Sequence, residues 1–514
     1  MQQKKATFKL SSIGWIILIA ALFKFGIHLI YGEGYEYFFD ELYTLAMSRH
    51  LALGYVDLPP LVPFLAAVSR AVLGNSFFAY HVFPALAGSF TLFLLCLITR
   101  ELGGKEIAVA LTAVGFIIVP LWLAVNSFFC YDGFDQLALA AFLFAVVKLY
   151  ATANRKYWLL IGLLAGLACL CKITILFYGP GFLLALLISN RRKDLRSPWP
   201  YLGAGIFLIV VSPYLYWQFA NDWPSLEYWT NYGQARLYET SLKQYLLNTL
   251  VYTGPLLLPL WLAGLYRIFR PFNKVNYSLF GLLFLFTFGL MFVLHASVRQ
   301  LIALFMPLLA AGAVFTEEMV SKIRWKKPAL VVVFGYLAVV GVLNITLTLP
   351  ILPADMFPPL ADKYAGFSRN LREFNGGQSY YPVTYTGRLG WTHIVEEVAA
   401  VYDSLPAAEQ EIAGIYADWY TYAGAVDQIG PQYGLPHAVS GHLTYYLWGP
   451  GYSWDVMILL TGRSNHMLMF FDHCEQSAVV TDVPAALGDK LYIYTCKHAR
   501  LPAETIWSSA KSYR

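Results

Sequence analysis

The chain has 514 residues, of which 58% are hydrophobic and only 13% charged. Soluble domains carry about 25% charged residues, so this composition indicates a membrane protein and excludes an ordinary soluble one. The net charge of +5 is small and dispersed, which argues against a nucleic-acid partner. The six cysteines form no CxxC or Cys/His metal pattern, so a zinc module is not expected.

Apolar stretches long enough to cross about 30 Å of hydrocarbon recur before residue 350. We place about eleven of them, at 11–30, 80–99, 106–125, 133–150, 157–170, 173–189, 200–219, 247–267, 277–295, 299–315 and 328–349. The first follows a short lysine-containing start without a small-x-small cleavage site, so we expect a retained transmembrane helix rather than a signal peptide. The fifth and sixth are short enough to form either a hairpin or one bent unit.

Basic clusters in the loops test this count. They fall before the first span and at 100–106, 154–156, 191–196, 267–274 and 321–327. With eleven spans all six lie on one side, which the positive-inside rule makes the cytoplasm. We therefore predict a multi-pass protein of the cell inner (plasma) membrane with a cytoplasmic N-terminus. Loop 31–79 and everything after residue 350 then face outward.

The outward loop carries the run YEYFFDELYTLAMSRHLALGYVDLPPL from Tyr35 to Leu61. Asp40 is placed to cap a helix that runs to Gly54, with an apolar side and a polar side that includes Glu41. This pattern is typical of a helix lying in the membrane interface. The prolines that follow the next acid predict a second short helix. In the alternative interpretation Asp40 is only an N-cap and the other charges face water.

Two further groups of polar residues fall on the predicted outer face. Asp132 and Asp135 lie on a tight turn at the start of the fourth span, where acids also serve as N-caps. Lys172 lies at the tip of the fifth and sixth spans, and His295 and Arg299 lie between the ninth and tenth. A guanidinium suits phosphate oxygens, although the cations could equally be snorkelling. Acids and cations sharing one leaflet suit a reaction on a lipid phosphate.

The residues after 350 alternate between strand-like and helix-like patterns. We predict strands in 411–420, 455–460, 467–472 and 491–496 and helices at 393–405 and 422–430. Together they indicate an α/β domain over 351–514, separate from the transmembrane domain over 1–350. Outside the cytoplasm Cys474 and Cys496 are expected to form a disulfide, the alternative being two separate buried thiols. His437 and His442 have a spacing that favours a structural or acceptor-facing loop over a metal site.

Several short motifs occur together in an order that resembles a known family. They are the Asp40–Glu41 pair, GYVDLPPL, YDGFDQL, GLLAGLACLCK at 162–172 and WQFANDWPSLEY at 217–228. The set resembles bacterial polyprenyl-phosphate-dependent glycosyltransferases of the GT-C class, which include protein mannosyltransferases and the aminoarabinose transferase acting on lipid A. The resemblance implies a GT-C-like membrane fold and a sugar donor linked to a polyprenyl phosphate.

The same resemblance implies roles for individual residues. Asp40 becomes the catalytic base or acceptor-binding acid, supported by Asp135, which matches the family better than Asp132. Asp57 matches a metal-site acid, but Leu58 stands where the family carries a phosphate-contacting lysine. Lys172 or Arg299 would then contact the phosphate, with Glu41 of the matching acidic pair as a further substrate-binding residue. His295 is predicted to bind substrate from its place beside Arg299, because the segment around it departs from the family form. A divalent metal cation is thereby left open as a cofactor.

The predicted function is transfer of a sugar from a polyprenyl-phosphate donor to an acceptor hydroxyl, with inversion in a single displacement. The acceptor could be a glycan, a lipid or a protein. The alternative is a transporter or flippase of lipid-linked sugars, which would carry polar residues near mid-membrane and show internal repeats. Charges at the outer ends of the spans favour the transferase. A catalytically inactive, glycan-binding scaffold is a third possibility.

Overall fold

The computed structural model describes residues 10–235, 241–364, 382–462, 465–481 and 490–513. The helices are α1 Ser12–Ile27, α2 Phe39–Met47, α3 Leu61–Leu73, α4 Phe77–Glu101, α5 Glu106–Ile118, α6 Pro120–Ala124, α7 Tyr131–Thr152, α8 Tyr157–Cys171, α9 Thr174–Ile188, α10 Trp199–Ala220, α11 Pro224–Ala235, α12 Leu242–Thr253, α13 Leu258–Ile268, α14 Ser278–Val293, α15 Phe305–Lys322, α16 Lys326–Thr348, α17 Phe357–Tyr364, α18 Val383–Thr386, α19 Trp391–Asp403, α20 Ala407–Gln410, α21 Tyr420–Ile429 and α22 Ala503–Ala510. The strands are β1 Gly414–Ala417, β2 Ala438–Val439, β3 Val456–Thr461, β4 Phe471–Val480 and β5 Leu491–Ala499.

Helices occur at every predicted span, but not every span is one straight helix. Among the described residues, five helices are long and apolar enough to cross a membrane, or seven if each of two bent pairs is one span. The predicted span 247–267 is broken, because α12 and the helical segment that follows it meet at 84° across Gly254. Pro255 comes directly after that glycine and cannot continue the ladder of helix hydrogen bonds. The multi-pass helical fold is thus confirmed, while the count of eleven stays a prediction.

Helix α7 packs against α4 and α8 in the middle of the membrane region. The loop before it folds back tightly on its first turn. A Cβ added to Gly133 would lie 2.6 Å from the carbonyl oxygen of Val125, so only glycine fits there without a shift of the loop. This close approach fixes where the acids at the start of α7 lie.

The C-terminal part forms the predicted α/β domain around one five-stranded sheet of order β2-β1-β3-β5-β4. Strand β1 is parallel to β2 and β3, whereas β5 is antiparallel to β3 and β4. The predicted strand at 467–472 is wrong for most of its length. Residues His466–Phe470 form a 3-10 turn, and the strand begins only at Phe471. A run of five apolar or aromatic residues does not by itself distinguish the two.

The outer loop shares its core with this domain. Leu42 and Tyr43 of α2 are buried in one apolar cluster with Ile415 of β1 and Ile458 of β3. The prediction of an interfacial membrane helix running to Gly54 is therefore wrong. An amphipathic pattern shows which side is apolar but not whether lipid or protein covers it.

Helix α2 ends seven residues before the predicted stop. Its last residue is Met47, and the Tyr55 hydroxyl donates a hydrogen bond to the Met47 carbonyl at 3.3 Å. The carbonyl groups at the end of a helix need such partners. The chain therefore turns back at this point, and Leu58 joins the same core at 6% exposure.

The predicted disulfide is present and links Cys474 to Cys496 across the paired strands β4 and β5. It closes a loop with a sequence separation of 22 residues. We expect replacement of both cysteines by serine to lower the free energy of unfolding by about 3 kcal/mol, because the unfolded chain regains loop entropy. Thermal unfolding of the detergent-solubilised protein measures this. Reductant should lower the melting temperature of the wild type but not of the variant, and equal stability of both proteins without reductant would contradict the expectation.

Candidate active site

Asp40 lies in the first turn of α2 but does not cap it, because Phe38 is the N-cap residue. Its Oδ1 instead accepts a hydrogen bond of 2.9 Å from the Tyr420 hydroxyl at the start of α21. Burial raises the pKa of Asp40 to about 6, while the Tyr420 hydrogen bond and then the charge of Arg299 act to lower it. A carboxyl group with that pKa is mostly ionised at neutral pH and can still exchange a proton readily, as a general base must.

The start of α7 supplies an ion pair on the same side of the molecule. Lys172 follows the last residue of α8 in an extended conformation, and its Nζ lies 2.6 Å from Oδ1 of Asp132. The ammonium group also lies 4.7 Å from the centre of the Tyr131 ring. Both charged side chains keep part of their surface exposed, 17% for the lysine and 19% for the aspartate. The lysine is therefore fixed in place without being sealed from a ligand.

A narrow cleft adjoins this ion pair between α7, α9 and the turn before α15. Its polar lining residues are Asp132, Asp135, Gln136, Tyr178, Arg299 and Gln300. The charges of Lys172 and Arg299 both act on Asp132 and on Asp40. From the sequence, Asp40, Asp132, Lys172 and Arg299 could be assigned only to the same side of the membrane. In the structure their charges are close enough to act on one another.

The two acids of α7 occupy different positions. Asp132 is the one that pairs with Lys172 and acts electrostatically on Asp40. Asp135 lies one turn deeper with 6% exposure, and its Oδ1 has no hydrogen-bond partner among the described residues. Contact with the catalytic region therefore favours Asp132, where family resemblance had favoured Asp135. Asp135 lines the cleft and stays a predicted supporting residue.

The predicted substrate-binding role of Glu41 does not fit its surroundings. The side chain is fully buried, and its two oxygens accept hydrogen bonds from the backbone amides of Phe38 and Phe129. His81 lies 3.5 Å away. A carboxylate that already has partners on both oxygens ties the α2 start to the loop before α7. Glu41 is therefore a structural residue that helps to place Asp40.

Asp57, the predicted metal ligand, faces a tyrosine. Its Oδ1 accepts a hydrogen bond of 2.7 Å from Tyr43, and burial raises its pKa to about 7. No group of three or more His, Cys, Asp or Glu side chains that could hold a metal ion occurs in the part of the chain that the structure describes. The residues around Asp57 thus do not fit a resident metal, and metal dependence stays an untested expectation.

His295 is the predicted site residue that the structure leaves apart. It follows α14 in a left-handed conformation with φ of 50° and is exposed. Sequence proximity to Arg299 suggested a shared site, but the chain turns between the two residues. A substrate-binding role for His295 therefore has no support from its position.

Sequence reasoning missed Tyr420 and Thr444, and it assigned His442 only to a structural or acceptor-facing loop. Tyr420 lies three residues after β1 and opens α21, and His442 and Thr444 come from the loop after β2. The signal that could have found them is positional. Polar residues beyond the carboxyl ends of parallel strands commonly form binding sites in α/β sheets.

Part of the chain is similar in sequence to known proteins. Residues 57–217 match the family model described as dolichyl-phosphate-mannose-protein mannosyltransferase. The lipid A galacturonosyltransferase RgtD of Rhizobium johnstonii is 26% identical over 189 residues, which are 36% of this chain. The chain spans 39% of the length of that curated relative.

Two solved structures of ArnT from Cupriavidus metallidurans resemble the whole fold. One is bound to undecaprenyl phosphate and has a TM-score of 0.60, and the apo form has a TM-score of 0.57. Each comparison covers 94% of this chain and 98% of the ArnT chain at 13% identity. The resemblance inferred from the ordered motifs is confirmed, and the chain is a multi-pass membrane protein with the fold of the GT-C glycosyltransferase class.

Proposed function

We propose that this protein transfers a sugar from a polyprenyl-phosphate donor to an acceptor hydroxyl at the outer face of the cell inner membrane. The observation that carries the proposal is the convergence of Asp40 with two cations, Lys172 and Arg299, beside a polar cleft. The cations can stabilise the negative charge on a departing phosphate, and the carboxylate can accept the proton of an attacking hydroxyl. The ArnT structure bound to undecaprenyl phosphate and the family match support a donor of this class.

The proposed chemistry is one displacement at the anomeric carbon. The acceptor oxygen forms its bond to that carbon while the bond from the carbon to the phosphate oxygen breaks. Asp40 takes the proton of the acceptor hydroxyl. Lys172 and Arg299 stabilise the negative charge that remains on the polyprenyl phosphate, which leaves as product. Attack from the face opposite the leaving group inverts the anomeric configuration, so no covalent enzyme intermediate is needed.

The proposed orientation places this chemistry outside the cytoplasm. The positive-inside pattern of the loops supports a cytoplasmic N-terminus and an extracytoplasmic C-terminal domain. The disulfide between Cys474 and Cys496 supports the same side for that domain, because disulfides persist in oxidising compartments. A lipid-linked donor would reach the cleft laterally from the bilayer. An assay in EDTA, followed by addition of divalent cations, tests whether the transfer depends on a metal.

A direct assay tests the function. Purified protein in nanodiscs is incubated with radiolabelled polyprenyl-phosphate sugars and with lipid A, oligosaccharide and protein acceptors. Transfer of label to an acceptor with release of polyprenyl phosphate supports the transferase. Movement of donor across liposomes without transfer to any acceptor would support the flippase instead. The anomeric configuration of the product, read by NMR, tests the single displacement.

The transfer rate should depend on pH through Asp40. The base must be ionised, so kcat/KM should fall as pH decreases through the Asp40 pKa of about 6 and level off above it. A steady-state pH profile from about pH 4 to about pH 8 measures this, because it reaches about two units on either side of that pKa. Asp57, with its pKa near 7, is the main competing group, so the Asp57→Asn variant is the control. If kcat/KM of the Asp57→Asn variant no longer falls at acidic pH, the fall seen in the wild type is due to Asp57.

A further inference from the structure

The partner of Asp40 comes from the other end of the chain. Tyr420 belongs to the C-terminal domain, and 380 residues separate it in sequence from the acid to which it donates its hydrogen bond. The closeness depends on Gly424, one turn further along α21. A Cβ there would lie 3.0 Å from the backbone carbon of Leu42, so the glycine lets α21 approach α2 closely. The same face of α21 then presents Tyr420 to Asp40.

Two other rings lie against the Tyr420 ring. The Tyr43 ring centre lies 4.4 Å away at an interplanar angle of 33°, and the His442 ring lies parallel to it with a centre distance of 5.1 Å. The Tyr420 backbone amide also donates to Nδ1 of His442 at 3.4 Å. These contacts restrict the orientation of the ring, so the phenol is arranged before any substrate arrives.

The neighbouring phenol cannot replace it. The Tyr43 hydroxyl gives its single proton to Asp57 at 2.7 Å and accepts from the backbone amide of Thr444 at 3.1 Å. Asp40 therefore receives its phenolic proton from Tyr420. A hydrogen bond donated to an ionised carboxylate favours the charged form. The bond opposes the burial that would otherwise keep Asp40 protonated.

We propose that Tyr420 is a positioning residue of the transfer site, through which the docked C-terminal domain keeps Asp40 oriented and ready to accept a proton. This inference rests on the proposed function. Tyr420 occupies Oδ1 of Asp40, and the acceptor hydroxyl gives its proton to Oδ2. The C-terminal domain is then part of the catalytic unit and not only a platform for the acceptor.

Other groups also act on Asp40 and shape its titration. Those on the described elements around it are Asp57, Cys130, Tyr131, Asp132, Lys172 and Arg299. None of them belongs to the C-terminal domain. A change made only at Tyr420 therefore isolates the contribution of that domain.

The test is the Tyr420→Phe variant, which removes one hydroxyl and keeps the ring between its neighbours. We expect kcat at pH 7 to fall about tenfold, since hydrogen bonds to charged groups contribute about that much, while KM for the lipid donor stays unchanged. The acidic limb of the pH profile should move upward by about one unit, because loss of the bond raises the pKa of Asp40. Raising the pH above the shifted pKa of Asp40 should restore part of the activity of the variant. Activity lost through misfolding would not return in this way.

The chain offers a matched control in Tyr445→Phe. Tyr445 is buried and donates a hydrogen bond of 2.7 Å to a half-buried acid of the same domain, Asp427. In the Tyr445→Phe variant, kcat/KM should fall at the same pH as in the wild type. If Tyr420→Phe keeps the wild-type kcat and pH profile while Asp40→Asn is inactive, the positioning role of Tyr420 is overturned. The proposed function is not affected by that result. Full turnover by Asp40→Asn would overturn both this inference and the mechanism on which it rests.

Discussion

We expect the Asp40→Asn variant to lose between about a hundredfold and ten-thousandfold of kcat while still binding the lipid donor. General base catalysis by one positioned side chain contributes about that much. Asparagine has nearly the same shape and can still accept the Tyr420 hydrogen bond at its amide oxygen, so the fold around α2 should persist. The loss would then report the missing proton acceptor. The measurement is single-turnover transfer of labelled sugar, with donor affinity measured separately.

The control for this variant is Asp427→Asn. Asp427 is, like Asp40, a half-buried acid, and it accepts hydrogen bonds from the Tyr445 hydroxyl at 2.7 Å and from the Ala438 amide at 2.8 Å. Its replacement should change stability to a similar degree but leave kcat close to the wild type. Equal losses in both variants would show that Asp40 only supports the structure. Turnover by Asp40→Asn at the wild-type rate would remove the acid from the mechanism.

The sequence predicted the parts of the fold that depend on periodicity and on local chemistry. Long apolar runs gave the helices of the membrane region, and alternation after residue 350 gave the α/β domain with its disulfide. The sequence did not predict the break between α12 and the next helical segment at Gly254, because one glycine and one proline hardly change a hydropathy value averaged over a window. The 3-10 turn at His466–Phe470 was missed because its residues suit a strand equally well.

The site was predictable only in part, because its residues come from five separate regions of the chain. Asp40, Lys172 and Arg299 could be singled out, since charges are costly near lipid and therefore mark function. Whether they meet depends on how the helices pack, which one sequence does not encode in any local pattern. Tyr420 could not be found this way at all. It is one of 36 tyrosines, and only the packing of α21 against α2 sets it apart.

Leu58 shows how the structure changes the meaning of a departure from the family. A leucine in place of the phosphate-contacting lysine raised doubt about the phosphate site. The structure places Leu58 in the core under the C-terminal domain, where a charged side chain would be costly to bury. The cations beside the candidate cleft are Lys172, which pairs with Asp132, and Arg299, which lines the cleft itself.

The last prediction concerns the Lys172→Met variant. If Lys172 stabilises the departing phosphate, its removal should lower kcat on the order of a hundredfold or more, as loss of one positioned donor does in comparable sites. Methionine keeps the length and the apolar contact with the Tyr131 ring but loses the charge. Lys172→Arg should retain part of the rate. Release of polyprenyl phosphate, followed in single-turnover experiments, is the measurement.

Two comparisons separate this role from simple neutralisation of Asp132. Lys148→Met removes a half-buried lysine near the other end of α7, whose Nζ lies 2.9 Å from Glu101, and should leave kcat unchanged. Lys172→Met combined with Asp132→Asn removes both members of the active-site pair. If the lysine only balances the aspartate, the double variant should recover the wild-type rate. If it contacts the phosphate, the double variant stays as slow as Lys172→Met, because the leaving group still lacks its cation.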